Sequence, residues 1–119
     1  MHVEALRDYC LAKKGVTESE PFGPGTLVIK VLTKMFAIIP LDNAETSISL
    51  KMDKELVPEW RDKYDAIQPG WHLNKTMWNA VYTTTGAIPK QDIMWLIDHS
   101  YNEVIKKMTK KEQALLGSL

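Results

Sequence analysis

The side chains of this sequence that could do chemistry are lysines on stretches without any carboxylate. Residues 21–41 carry only Lys30 and Lys34 as charged side chains, and residues 66–91 carry only Lys75 and Lys90. A lysine without a neighbouring acid attracts phosphate, because no local anion cancels its field. The two stretches therefore indicate contacts with a polyanion. The alternative is that strands contain few acids in any case and that Lys34 solubilises a turn.

A polar segment after the Pro69-Gly70 turn brings together side chains that recognise nucleic acids. His72 and Asn74 could hydrogen-bond a base edge or a phosphate, and Lys75 could supply the charge. Trp71 could stack on an exposed base. The sequence is equally consistent with a structural role, in which Asn74 closes an Asx turn and His72 bonds a neighbouring carbonyl.

The remaining charge is segregated as well, although the 15 basic and 15 acidic residues cancel. Residues 42–65 hold four bases, Lys51 among them, against seven acids. The predicted last helix ends in a second basic cluster, formed by Lys106, Lys107, Lys110 and Lys111. Phosphate binding and stabilisation of the helix C-terminus explain this cluster equally well.

Enzymatic and metal-binding interpretations find little support. Cys10 lies on the apolar face of the predicted first helix, which suits a small buried residue better than a nucleophile. His2, His72 and His99 form no metal-ligand spacing, and the sequence has no glycine-rich phosphate loop. We therefore expect no catalytic residue, metal or cofactor; the alternative is an enzyme that uses His72 as an acid or base.

Length and composition define the class of protein. With 119 residues, of which 45% are apolar and 25% charged, the chain fits one soluble globular domain over residues 1–119. No apolar run approaches the roughly 18 residues of a membrane span. The N-terminus lacks a secretion-signal pattern, and a single cysteine fits a reducing compartment, so we expect a cytoplasmic protein.

The hydrophobic periodicity predicts helices at both ends of an antiparallel sheet. The predicted elements are a helix over residues 3–13, strands at 27–31, 35–39 and 47–52, a helix that follows Asp53 and starts near Val57, a strand at 75–82, and a helix from Pro89 to Met108. A tight turn at 32–34 joins the first two strands. This order predicts an α+β fold with helices packed on one face of the sheet. We expect Trp78 to anchor the sheet and Tyr101 to pack with its hydroxyl at the rim.

Three blocks of the sequence carry a likeness to a known family. They are Tyr9-Cys10-Leu11 with Gly15-Val16-Thr17-Glu18 and Pro21-Phe22-Gly23, Lys30-Val31 with Lys34-Met35-Phe36-Ala37 and Leu50-Lys51, and Ile67 to Lys75 with Trp78-Asn79 and Ser100-Tyr101. In this order and spacing the chain resembles the MmcQ/YjbR family of small bacterial proteins over nearly its whole length. It departs from the family at Thr76 and Met77, where a basic residue and a histidine usually precede the tryptophan.

The resemblance implies a compact α+β fold related to the CyaY (frataxin-like) arrangement and a DNA-binding protein with a double-wing motif. We therefore expect the hairpin at residues 30–34 and the loop at 72–75 to contact DNA phosphate as two wings. The candidate nucleic-acid-binding residues are Lys30, Lys34, Lys51, His72, Asn74 and Lys75, with Trp71 as a stacking residue. The alternative is a non-catalytic protein-interaction or small-ligand-binding module. In either case we expect a monomer or a weak dimer.

Overall fold

The computed structural model describes residues 1–70 and 73–119. A six-stranded antiparallel sheet runs through these residues in the order β1-β2-β3-β4-β6-β5. In chain order the elements are α1 (Val3–Leu11), β1 (Val16–Ser19), β2 (Thr26–Val31), β3 (Lys34–Pro40), β4 (Ser47–Lys51), α2 (Leu56–Lys63), β5 (Ile67–Pro69), β6 (Trp78–Tyr82), α3 (Lys90–Lys106) and α4 (Lys110–Gly117).

The helices pack on one face of the sheet, as the sequence predicts. Alternate residues of the strands form one buried cluster with Leu6 of α1, Val57 of α2, Leu96 of α3 and Leu116 of α4. Side chains of a strand point alternately to the two faces, so this cluster marks the face that the helices cover. The α+β fold is therefore confirmed.

The start of α2 lies within one residue of its predicted position. Asp53 accepts a hydrogen bond from the Glu55 amide at 2.9 Å, and the helix begins at Leu56. Pro58 falls in the first turn, where backbone N–H groups have no partner inside the helix. The proline is therefore tolerated without breaking the element.

Two short strands, β1 and β5, were not predicted, because their residues lack a clear apolar alternation. β1 has only one apolar residue, Val16. It forms because it pairs with β2 from Val16↔Val31 to Ser19↔Val28, and it is an edge strand of the sheet. β5 has three residues and ends in Pro69, which an edge strand tolerates. The strand predicted at 75–82 begins only at Trp78, because the preceding residues from Asn74 form a turn.

The last helix of the prediction is two helices. α3 ends at Lys106, and α4 begins after Thr109, whose side chain forms a reciprocal capping box with Glu112. The spacing Thr-x-x-Glu is the sequence signature of such a helix start and was the signal for α4. No helix in the described ranges combines the length and the apolar character that a membrane crossing requires.

Candidate nucleic-acid interface

The predicted lysines gather at one end of the sheet. β2 and β4 finish at this end while β3 and β6 begin there, because neighbouring strands are antiparallel. Lys30 and Lys34 flank the β2–β3 turn, and Lys51 closes β4 opposite Trp78. Lys75 lies in the turn that leads into β6. The four lysines therefore share an end, although they come from separate parts of the chain.

Ser100 fixes the C-terminal half of α3 to this end of the sheet. Its buried hydroxyl donates to the Phe36 carbonyl at 2.6 Å and accepts from the Lys51 amide at 2.9 Å. The β3–β4 register ends at Ala37↔Leu50, so the serine bridges the two strands just beyond their last pair. This contact gives the Ser100-Tyr101 block of the sequence a structural reason.

The α3–α4 junction adds lysines to those of the strands. Lys106 is the last residue of α3 and Lys107 its C-cap, while Lys110 and Lys111 form the first turn of α4. We call the combined surface the basic end; it comprises Lys30, Lys34, Lys51, Lys75, Lys106, Lys107, Lys110 and Lys111. Sequence reasoning treated its strand and helix lysines as two separate clusters, because Ser100 and Phe36 are far apart in the chain.

Two amines of the basic end, those of Lys107 and Lys34, act on a third, that of Lys51. Burial lowers the pKa of Lys51, and the charges of Lys107 and Lys34 lower it further, while Glu103 opposes the change. None of these three lysines forms an ion pair within the described ranges. Like charges on neighbouring elements create a local positive potential that favours an incoming anion, and Glu103 offsets part of it.

The β2–β3 hairpin does not project as a free wing. Its turn residue Leu32 has a φ of 53° and donates its amide to the Gly15 carbonyl at 2.9 Å. A Cβ placed on Gly15 would lie 3.5 Å from the Leu32 side chain and 2.5 Å from that of Leu116 in α4. The turn is therefore held against the helix layer, and only Thr33 and Lys34 are exposed there.

The loop that leads into β6 is organised by Asn74. The side-chain oxygen of Asn74 accepts from the Thr76 amide at 3.0 Å and from the Thr76 hydroxyl at 2.6 Å, which forms an Asx turn. Both Asn74 and Lys75 are exposed. The predicted contacts of Trp71 and His72 lie outside the described residues.

Arg61 supports this loop from α2, a role that sequence reasoning missed. Its guanidinium donates to the Asn79 side chain at 2.6 Å and to the Lys75 carbonyl at 2.6 Å. Asn79 is fully buried and donates in turn to the Val57 carbonyl at 3.2 Å. The Trp78-Asn79 block thus positions the loop, and Trp78 itself is buried. The sequence signal for this contact was an asparagine, Asn79, in an otherwise apolar strand, because a buried carboxamide needs a hydrogen-bond partner.

The other residues with reactive side chains, Cys10, His99 and Tyr101, have structural roles. Cys10 is buried, which raises the pKa of its thiol to about 12 and keeps it protonated. Burial lowers the pKa of His99, whose Nε2 accepts from the Asp53 amide at 3.2 Å. The described residues contain no group of three potential metal ligands. Tyr101 is half-buried and donates its hydroxyl to the Lys14 carbonyl at 2.6 Å, so it lies at the rim as predicted.

An open depression of about 550 Å³ lies at the opposite end of the molecule. Met1, Thr83, Ile88 and Lys90 are among the residues that line it. Thr83 follows the last residue of β6, whereas the basic end lies at the first. The depression is therefore separate from the lysines.

Comparisons with known proteins agree with this architecture. The family model described as YjbR matches residues 11–103. The YjbR protein of Escherichia coli K12 is 31% identical over 119 residues, which is 100% of both chains. The YbdF protein of Escherichia coli O157:H7 is 32% identical over 93 residues, 78% of this chain and 75% of its own.

Solved structures resemble the chain as closely. The crystal structure of a Deinococcus radiodurans protein with a DUF419 domain has a TM-score of 0.90 and 37% identity, covering 98% of this chain and 88% of that one. A Pseudomonas syringae crystal structure has a TM-score of 0.76 and 25% identity, covering 87% of this chain and 99% of that one. The fold, the signature blocks and the match over most of its length agree, and the chain belongs to the YjbR family.

Proposed function

We propose that the protein binds DNA through phosphate contacts of the basic end. The observation that supports this function is the convergence of Lys34 and Lys107 on Lys51, three amines from separate elements that form no ion pair within the described residues. Such a site gains free energy when a phosphate enters, because counter-ions leave the DNA and the repulsion between the amines falls.

Each candidate residue then has a role. Lys34, Lys51 and Lys107 form the centre of the contact, while Lys30 and Lys75 extend it along the end of the sheet. The NH₂ group of Asn74 hydrogen-bonds a phosphate or a base edge. His72 and Trp71 belong to the same proposal as a further donor and a stacking ring.

Stabilisation of helix ends is an insufficient explanation for this surface. A positive charge at a helix C-terminus is favourable, and this accounts for Lys106 and Lys107 at the end of α3. Lys34 and Lys51, however, lie on strands, and the net dipole of a sheet is small. The strand lysines therefore require a different reason, and phosphate binding supplies one.

The proposal is tested by fluorescence anisotropy with a labelled DNA duplex of about 20 base pairs over a salt series. Wild-type affinity should fall steeply as salt rises. The variants Lys34→Gln, Lys51→Gln and Lys107→Gln should each weaken binding to all sequences alike and reduce the salt slope by about 1. Lys90→Gln is the matched control, because Lys90 is exposed at the other end of α3.

Circular dichroism and thermal melting check that each variant is folded. The absence of duplex binding by the wild type at low salt would overturn the proposal. So would an equal loss of affinity in Lys90→Gln, since binding would then follow total charge and not the basic end.

A further inference from the structure

Four aromatic rings of α2 and α3 form a stacked row in which Trp95 is exposed and the other three are partly buried. Trp60 stacks on Tyr64 at 6.1 Å between ring centroids and on Trp95 at 5.5 Å, and Trp95 stacks on His99 at 5.0 Å. We call this row, Tyr64, Trp60, Trp95 and His99, the aromatic ladder. The interplanar angles of 7–26° make it a continuous run of nearly parallel rings.

The ladder already holds one cation of the protein itself. The Lys63 ammonium lies 4.7 Å from the centroid of Trp60 and 5.5 Å from that of Tyr64. Asp92 completes this arrangement, since its carboxylate accepts from the Tyr64 hydroxyl at 2.6 Å and lies 3.9 Å from Lys63. An ammonium over aromatic faces beside a carboxylate is the arrangement by which proteins recognise cations.

Among the described residues, no cation lies over the other two rings of the ladder, Trp95 and His99. Within the described ranges the cation–π contacts involve the rings of Tyr9, Tyr101, Trp60 and Tyr64, and none involves Trp95. Trp95 is also 46% exposed, although tryptophan buries more apolar area than most side chains. Exposed aromatic rings of this kind are enriched at protein interfaces.

The charge around the ladder favours a positive partner. The segment that forms α2 and its flanks holds Asp53, Glu55, Glu59, Asp62 and Asp65 against Lys54, Arg61 and Lys63, which is five acids and three bases. Arg61 is engaged with the loop before β6 and Lys63 with the ladder itself. On α3, Asp92 and Asp98 lie three residues on either side of Trp95, but Asp92 pairs with Lys63 and Asp98 with Lys13, so the attraction for a cation rests on the exposed carboxylates of α2 and its flanks.

We propose that the aromatic ladder, centred on Trp95, is a docking surface for an arginine-bearing segment of another protein. A guanidinium stacks on the exposed part of Trp95, and the exposed carboxylates of α2 pair with further basic side chains of the segment. Arginine fits better than lysine because its planar, weakly hydrated group stacks on aromatic faces. The same carboxylates would repel a nucleic acid, so this surface and the basic end select opposite partners.

The test uses a synthetic peptide of alternating arginine and glycine, with binding measured by calorimetry and by tryptophan fluorescence. The wild type should bind it, and Trp95→Ala should bind about 2–5-fold more weakly, the effect expected for an exposed cation–π contact. Trp95→Phe should recover part of the loss. Phe22→Ala is the matched control, because Phe22 is 72% exposed on the loop between β1 and β2.

Two results would overturn the proposal. Equal affinity of Trp95→Ala and wild type would show that the peptide binds through charge attraction alone. Sedimentation showing that the protein dimerises and that Trp95→Ala is monomeric would identify a second copy as the occupant. The proposal stands apart from DNA binding, because Lys51→Gln should leave peptide affinity unchanged whether or not it alters duplex affinity.

Discussion

The basic end and the aromatic ladder adjoin different parts of α3 and differ in their charge. At the C-terminal half of α3, amines from three elements are held together without ion pairs among the described residues, while the N-terminal half carries stacked rings among carboxylates. A formal net charge of zero is therefore compatible with two surfaces of opposite character. A neutral total is uninformative about partners when the charge is divided between surfaces.

Glu103 stands at the border between the two surfaces. Its carboxylate lies 3.8 Å from Nε2 of His99, the last ring of the ladder, and 4.0 Å from the Lys106 ammonium of the basic end. It also counters the lowering of the Lys51 pKa. Three substitutions therefore test the comparison. They change Ser100, which holds α3 to the sheet, Glu103, which lies between the two surfaces, and Lys63, which lies over rings of the ladder.

The largest effect is expected from Ser100→Ala, which breaks the contact that positions the basic end. The substitution leaves the Phe36 carbonyl and the Lys51 amide without their partner in the interior, and each orphaned group costs about 1–3 kcal/mol. We expect the free energy of unfolding to fall by about 2–4 kcal/mol in urea denaturation. Ser118→Ala removes an exposed hydroxyl that bonds the Leu115 carbonyl and should change stability little.

Ser100→Ala should also affect binding at the two surfaces differently. Duplex affinity should fall with stability, because Lys51 and Lys107 lose their fixed spacing, whereas affinity for the arginine peptide should be retained. Unchanged stability would show that the hydroxyl bridge does not hold α3 to the sheet.

The sequence predicts the elements that have a clear apolar repeat, and it does not predict contacts such as those of Ser100 with residues far away in the chain. Periodicity identified β2, β3, β4 and α3 because their apolar residues repeat at the spacing of the element. β1 was missed because Thr17, Glu18 and Ser19 are polar, and the strand exists through its pairing with β2. Pairing energy comes from a neighbour distant in sequence, which no local pattern contains.

The candidate sites follow the same division. The absence of acids beside Lys30, Lys34 and Lys75 was visible in the sequence, and the sheet does place these lysines at one end. The addition of Lys107 and the support by Arg61 depend on tertiary contacts between residues that lie far apart in the chain. The aromatic ladder was equally hidden, because Trp60 and Trp95 belong to two separate helices and their rings meet only where those helices lie side by side.

A moderate effect is expected from Glu103→Gln, which removes the negative charge at the border. The pKa of His99, already lowered by burial, should fall further, because the Glu103 carboxylate raises it. Duplex affinity should rise by a few-fold, since the basic end gains a net positive charge. Histidine titration by NMR and the anisotropy assay check the two effects.

Glu20→Gln is the control for this change. It removes the same charge from an exposed position outside the basic end and the ladder, so neither the His99 titration nor duplex affinity should move as far. Equal responses of the two variants would mean that Glu103 acts through total charge and does not divide two surfaces.

The smallest effect is expected from Lys63→Ala, which empties the cation position of the ladder. Loss of the contacts with Trp60 and Tyr64 should lower the free energy of unfolding by about 0.5–1 kcal/mol, the value for an exposed cation–π pair. The arginine peptide should bind more tightly, because two further ring faces and the Asp92 carboxylate become available to its guanidinium groups. Lys54→Ala removes an exposed lysine just before α2 and should leave stability nearly unchanged. If Lys63→Ala instead weakened peptide binding, Lys63 would be a structural brace of the docking surface and not a competitor of the incoming arginine.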